Sequence, residues 1–191
     1  MEIIKDRDLI WYTDDYDVIL IGTSVYNMLT QGFQSKMAMK YPEIVEADRQ
    51  TPYGDMRKLG KRITIDGTPT ISLMYICRYP SSIRDYLSYE SLERCLETAN
   101  QEFKGKRVAT TVLGTSRFDG NGDKDRCLDI IEKAAKDMDL TVFDYEQLRK
   151  RDEIKKIYQE FNKFGAIGDW DTFWRLVARK DEIIANSYLR H

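Results

Sequence analysis

Between about residue 70 and residue 144 the chain alternates short apolar runs with amphipathic stretches, and this alternation limits the fold more than any other feature. Thr70–Cys77, 108–113 and 140–143 read as strands. Between them, Leu92, Leu96, Ala99 and Phe103 recur at helical spacing, as do Cys127, Ile130, Ile131 and Ala134. Strand–helix–strand order over this length implies an α/β fold with a mainly parallel sheet covered on both faces. Upstream, residues 18–22 form a continuous apolar run of the kind a strand buried on both faces shows. A polar stretch, 23–31, follows, and 34–41 reads as a helix stopped by Pro42. Arg62–Ile65 and Thr70–Cys77 flank the turn pair Asp66-Gly67. Residues 9–13, apolar and aromatic, read as one more strand. Ser88 is expected to cap the first amphipathic helix and Gly105 to end it.

After residue 144 the character changes. Leu148, Ile154, Ile157 and Phe161 form one apolar stripe, a break follows at 165–168, and Trp170, Phe173, Trp174, Leu176, Val177 and Ile183 form another. This predicts a helical hairpin. The expected division is an α/β body over 1–144 and a helical extension over 145–191, packed on the body or on a second copy of the chain.

The chain excludes several chemistries. Its one His is His191, so a His general base or His-ligated metal is not expected. The three Cys (Cys77, Cys95 and Cys127) are far apart, which supports neither a zinc site nor a disulfide framework. Cys77 and Cys127 read as buried apolar residues. A reduced, cytoplasmic setting with no metal or cofactor is the natural expectation. Lys+Arg 30 against Asp+Glu 32 gives a net charge of -2, without the basic excess of a nucleic-acid binder. The longest apolar run, Val18-Ile19-Leu20-Ile21, is far short of the ~20 residues of a membrane span. The first residues show no basic stretch followed by an apolar one, so no secretory leader is expected. Carboxylates, hydroxyls, amides, Arg, Lys and backbone dipoles remain to do any chemistry.

In α/β sheets, ligands bind at the carboxyl ends of the strands, which directs attention to two loops. The first runs Gly22-Thr23-Ser24-Val25-Tyr26-Asn27-Met28-Leu29-Thr30-Gln31-Gly32-Phe33. It feeds a helix N-terminus, where free N–H groups and the helix dipole favour phosphate. It matches neither the GxGxxG nor the Walker A pattern, and an ordinary strand-to-helix connection fits it as well. The second runs Leu113-Gly114-Thr115-Ser116-Arg117-Phe118-Asp119-Gly120-Asn121-Gly122-Asp123. Its glycines allow close approach of a ligand. Thr115, Ser116 and the loop amides are potential phosphate donors, Arg117 a pairing cation and Phe118 a stacking surface. Asp119 and Asp123 suit acid/base work or ribose hydroxyls. The Asp119-x-Asn121-x-Asp123-x-Asp125 spacing resembles a calcium loop, but Lys124 and Ile130 stand where Gly and Glu are required. A Gly/Asn/Asp turn capping the next helix is the plainer reading.

Taken together, several segments resemble macro domains. They are 18–42, Glu46-Ala47-Asp48, Pro52-Tyr53-Gly54-Asp55, Lys58-Leu59-Gly60, Leu87-Ser88-Tyr89-Glu90-Ser91-Leu92, Phe103-Lys104-Gly105-Lys106-Arg107-Val108 and Leu113-Gly114-Thr115-Ser116. Their order and spacing over roughly 8–144 carry the resemblance, which is to the ADP-ribose-1''-phosphate phosphatases and terminal ADP-ribose protein glycohydrolases. It implies a three-layer α/β/α sandwich with a mixed sheet that binds ADP-ribose across the two loops. Ser24 stands where phosphatase-type members carry Asn. Arg78 stands near the Lys of the glycohydrolase branch, and Arg stays protonated, which disfavours a lysyl adduct. Asp119 falls at or beside that branch's acidic residue.

The implied site has Asp119 directing a water, with Ser24 as its polar partner. Ser24, Asn27 and Gly32 would line the distal ribose and one phosphate, with Thr23 as a further ligand-binding residue. Gly114, Thr115, Ser116 and Arg117 would hold the pyrophosphate, with Phe118 against a ribose. One of Asp6, Asp8, Asp14, Asp15 or Asp17 would meet the adenine. The implied activity is hydrolysis of an ADP-ribosyl ester or of ADP-ribose-1''-phosphate, with an ADP-ribosylated macromolecule as partner. The alternatives are a non-catalytic nucleotide sensor or sequestering protein, and an interaction scaffold such as a bacteriophage counter-defence factor. In either, 145–191 could join copies into a homo-oligomer.

Overall fold

The structure, a computed structural model, describes residues 1–5, 7–30, 32–78, 86–115 and 120–144. By chain contacts it divides into Met1–Ile3 with Leu9–Val142, and Ile4–Asp8 with Phe143–His191. The hairpin expected over 145–191 lies outside the described residues.

Six strands form one sheet: β1 (Glu2–Lys5), β2 (Val18–Ser24), β3 (Arg62–Ile65), β4 (Thr70–Cys77), β5 (Arg107–Thr111) and β6 (Asp139–Asp144), in the order β1-β6-β5-β2-β4-β3. β2 runs parallel to both β4 and β5, and β3 is antiparallel to β4. The sheet is therefore mixed, and the carboxyl ends of β2, β4 and β5 share one edge. The helices are α1 (Gly32–Lys40), α2 (Glu43–Arg49), α3 (Tyr89–Glu102) and α4 (Lys124–Ala134).

Period-two alternation along the central strands separates the two faces. Val18 and Leu20 of β2, with Met74 and Ile76 of β4, belong to a core that includes Leu92, Cys95, Leu96 and Ala99 of α3 and Cys127 and Ile131 of α4. The opposite face meets α1 and α2. There the Tyr75 hydroxyl of β4 donates to Asp48 of α2 at 2.7 Å, and the Gln34 amide of α1 donates to the Gly22 carbonyl at 2.6 Å. The expected three-layer α/β/α arrangement is present. Ser88 caps α3, its Oγ accepting from the Ser91 amide, and Asp123 caps α4 through the Arg126 amide.

Residues 9–13 do not form the expected strand. Leu9–Trp11 and Thr13–Asp15 are single tight helical turns, closed by Tyr12 N–H to Leu9 O at 2.9 Å and Asp15 N–H to Tyr12 O at 3.0 Å. Leu9 and Ile10 are both fully buried, which a turn allows and an alternating strand does not. α2 and β1 carry too short a pattern to be read from sequence.

Candidate functional site

The two loops singled out above leave the adjacent parallel strands β2 and β5 at the same edge. A side chain at Gly22 would come within 2.6 Å of Ile76 Cδ1 and 3.4 Å of Leu113 Cδ2, so β2, β4 and the start of the second loop close tightly here. The β2–β4 register slips between Thr23, opposite Tyr75, and Ser24, opposite Cys77. Such a bulge re-aims the strand end. The Ser24 Oγ accepts the Tyr26 N–H at 3.3 Å, and among the described residues nothing takes its proton. Among the described residues Ser24 has no base to make it a nucleophile, and it keeps a donor for a ligand. The Thr23 hydroxyl is buried without a hydrogen-bond partner among the described residues.

Asn27 is turned inward. It adopts φ 53°, and its amide nitrogen donates to the carbonyls of Asp48 and Thr51 and to Thr51 Oγ1. Lys58 Nζ donates to the Asn27 Oδ1 at 2.6 Å and to Thr51 Oγ1 at 2.8 Å, and sits 4.4 Å from the centre of the Tyr75 ring. Tyr75 closes the network by its bond to Asp48, whose second carboxyl oxygen is buried and unpartnered among the described residues. Burial raises the Asp48 pKa, opposed by the Tyr75 bond and the Lys58 charge. Burial likewise lowers that of Lys58, opposed by Asp48 and Asp55. Burial also drives the Tyr75 phenol well above its ordinary range. This network fixes the first loop from behind. Sequence reading missed it. Asp48 and Lys58 lie in segments that carried the resemblance, and the turn Pro52-Tyr53-Gly54-Asp55 between them was the signal that they fold back together.

At the far end of that loop, Gly32 opens α1 at φ +59°, and a Cβ added there would meet nothing within 4 Å. The N-terminus of α1 is thus approachable from outside.

The base of the second loop is built on Leu87. Side chains at Gly114 (φ +74°), Gly120 and Gly122 would come within 2.5, 2.9 and 2.5 Å of Leu87 atoms. Gly114 O accepts the Gly122 N–H at 2.8 Å, and Gly120 O accepts the N–H groups of Tyr86 and Leu87 at 2.9 and 3.2 Å. The Thr115 hydroxyl donates back to Val112 O at 2.8 Å, so toward a ligand it offers its lone pairs. Ser116, Arg117, Phe118 and Asp119 lie outside the described residues. Among the N-terminal carboxylates, Asp14 is engaged by Lys40 and Tyr41, Asp17 by Arg107, and Asp8 is buried. Asp15 is exposed, and Asp6 lies outside the described residues.

Solved structures decide the fold. The chain is similar to a protein of unknown function from Bacteroides thetaiotaomicron (TM-score 0.62, 17% identity, 75% of this chain and 98% of that one). It is similar also to the macrodomain of Thermus aquaticus DarG (TM-score 0.55, 14% identity, 75% of this chain and 97% of that one). The fold is that of a macrodomain. A further neighbour, Thermosipho africanus DarTG, was solved in complex with ADP-ribose (TM-score 0.60, 10% identity, 79% of this chain and 43% of that one). No protein-family model and no curated protein sequence matches the chain. Within this macrodomain fold, no helix among the described residues is long and apolar enough to cross a membrane.

Proposed function

We propose that the protein binds ADP-ribose or a closely related nucleotide across the loops at 22–32 and 114–122, and hydrolyses an ADP-ribosyl ester or ADP-ribose-1''-phosphate held there. One observation carries the reading. Two glycine-bearing loops leave adjacent parallel strands at one edge of a macrodomain fold, and one of them ends at an approachable helix N-terminus. The DarTG neighbour, which holds ADP-ribose, supports the choice of ligand.

In this reading the α1 N-terminus takes a phosphate, because its amides and dipole favour negative charge. Ser24 donates to the distal ribose. Asn27 serves the same loop from behind, since both ends of its amide are engaged. Leu87 fills the space that the glycines at Gly114 and Gly120 leave, so the pyrophosphate would meet the amides of the second loop, with Ser116 and Arg117 as its further partners and Phe118 against a ribose. Asp119 orients the attacking water, and the enzyme works by positioning and electrostatics. The ester's other half would be an ADP-ribosylated macromolecule.

Two variants test the assignment. Gly32→Asp places a carboxylate where the phosphate would sit, while Asp tolerates a positive φ. Affinity for ADP-ribose should fall by roughly tenfold or more with the melting temperature nearly unchanged; Gly32→Asn is the neutral control. Asp119→Ala should abolish single-turnover release of ADP-ribose while preserving its binding. Undiminished release would remove Asp119 from the reaction.

A further inference from the structure

A groove of about 420 Å³ lies at the same edge of the sheet, on the β3 side of β4. Its walls are the turn leading into β3, the end of β4 and the first turn of α3. Arg57, Lys61, Arg78 and Arg94 line it against a single acid, Glu90. That local excess stands out in a chain whose net charge is -2.

Two of these cations are already engaged, Arg94 by Glu90 at 2.5 Å and Arg57 by Asp55 at 2.8 Å. The side chains of Lys61 and Arg78 have no hydrogen bond or ion pair among the described residues, though both face the groove. Ser88 supplies an independent observation. It is 8% exposed, and its Oγ accepts from the Ser91 N–H at 3.3 Å and the Ser91 hydroxyl at 2.8 Å. A hydroxyl has two lone pairs and one proton. Both lone pairs are occupied, and the proton has no acceptor among the described residues. A nearly buried donor left open in a wall of cations calls for an anion.

The framework is fixed. Ser88 N–H donates to Ile76 O at 2.8 Å and Arg78 N–H to Tyr86 O at 3.1 Å. Gly60, at φ +75°, lets Arg94 lie against the turn, since a Cβ there would come within 3.1 Å of the Arg94 Cδ. The groove also opens onto the N-terminus of α3, fourteen residues long, whose dipole favours negative charge.

We infer that this groove binds a phosphate-bearing small molecule, with Arg78 and Lys61 pairing to phosphate oxygens and the Ser88 hydroxyl donating to one of them. A volume of about 420 Å³ suits a small phosphate ester better than an extended chain. The inference does not rest on the nucleotide reading above.

Calorimetric titration of inorganic pyrophosphate into the full chain tests it. Saturable binding that weakens with added salt is expected. The double variant Arg78→Gln/Lys61→Gln should weaken it by roughly tenfold or more. Ser88→Asp keeps the helix cap but replaces the donor by a negative charge, and should weaken it similarly. Lys104→Gln/Lys106→Gln, an equal charge change elsewhere, should leave it unaltered. Absence of binding at millimolar pyrophosphate, or equal affinity in wild type and the Arg78/Lys61 variant, would overturn the proposal. Tighter binding of a phosphoserine peptide than of pyrophosphate would overturn the choice of a small-molecule occupant.

Discussion

Lys58 is the residue on which the first loop depends most directly. Its ammonium holds the Asn27 side chain and Thr51 together, and it is buried over the Tyr75 ring. Lys58→Met would keep the packing and strand the buried-side Asn27 Oδ1, so unfolding free energy should drop by about 2 kcal/mol in denaturant titrations. The carboxylates titrate in opposite senses. Asp48 has its pKa raised by burial, so folding favours its protonated form. Its contribution is full below the ordinary carboxylate value of about 4 and is lost as pH rises through the raised folded value. Asp14 and Asp17 are held low, chiefly by hydrogen bonds from Lys40 and from Arg107. Their contributions are present above about pH 4 and lost as pH falls through the lowered values, and exposure keeps them small. Lowering pH from 7 toward 4 should therefore stabilise wild type relative to Asp48→Asn. Parallel pH–stability curves for the two proteins would contradict that assignment. The turn at 52–55 was the one sequence signal for this network; its closure by Tyr75 was not legible, because Tyr75 lies on β4 with no spacing in common with Asp48, Thr51 and Lys58. Only the folded sheet makes them neighbours.

At the scale of elements, local rules were enough wherever the pattern was long. Arg62–Ile65 and Thr70–Cys77 emerge with the bounds their alternation implies, and Ser88 caps α3 as its position suggests. Residues 9–13 misled because two successive apolar side chains, Leu9 and Ile10, are buried by turns and not by a strand. The second loop was legible as a glycine-rich turn, yet the reason for its glycines was not. They are required by Leu87, which comes from another segment. Gly114→Ala combines an unfavourable φ of +74° with a Cβ 2.5 Å from Leu87 Cδ1. It should cost roughly 2 kcal/mol or more, read as a lower thermal midpoint, with part of the loss recovered by Leu87→Ala. Full stability of the single variant would mean that the loop base is not built as described.

For the whole molecule, strand–helix alternation already implied an α/β sandwich. What it could not give was the strand order, since hydrogen-bonding neighbours such as β5 and β2 are distant in sequence. That order brings the first loop beside the second and sets the basic groove on the far side of β4. The proposed ligand rests on this placement and on the likeness to the ADP-ribose complex of DarTG more than on any single side chain. Isothermal titration of ADP-ribose into the intact protein tests it most directly. The account predicts saturable one-to-one binding that Gly32→Asp weakens by roughly tenfold or more and Gly32→Asn largely retains. No detectable binding at millimolar ADP-ribose, or affinity indifferent to Gly32→Asp, would contradict it.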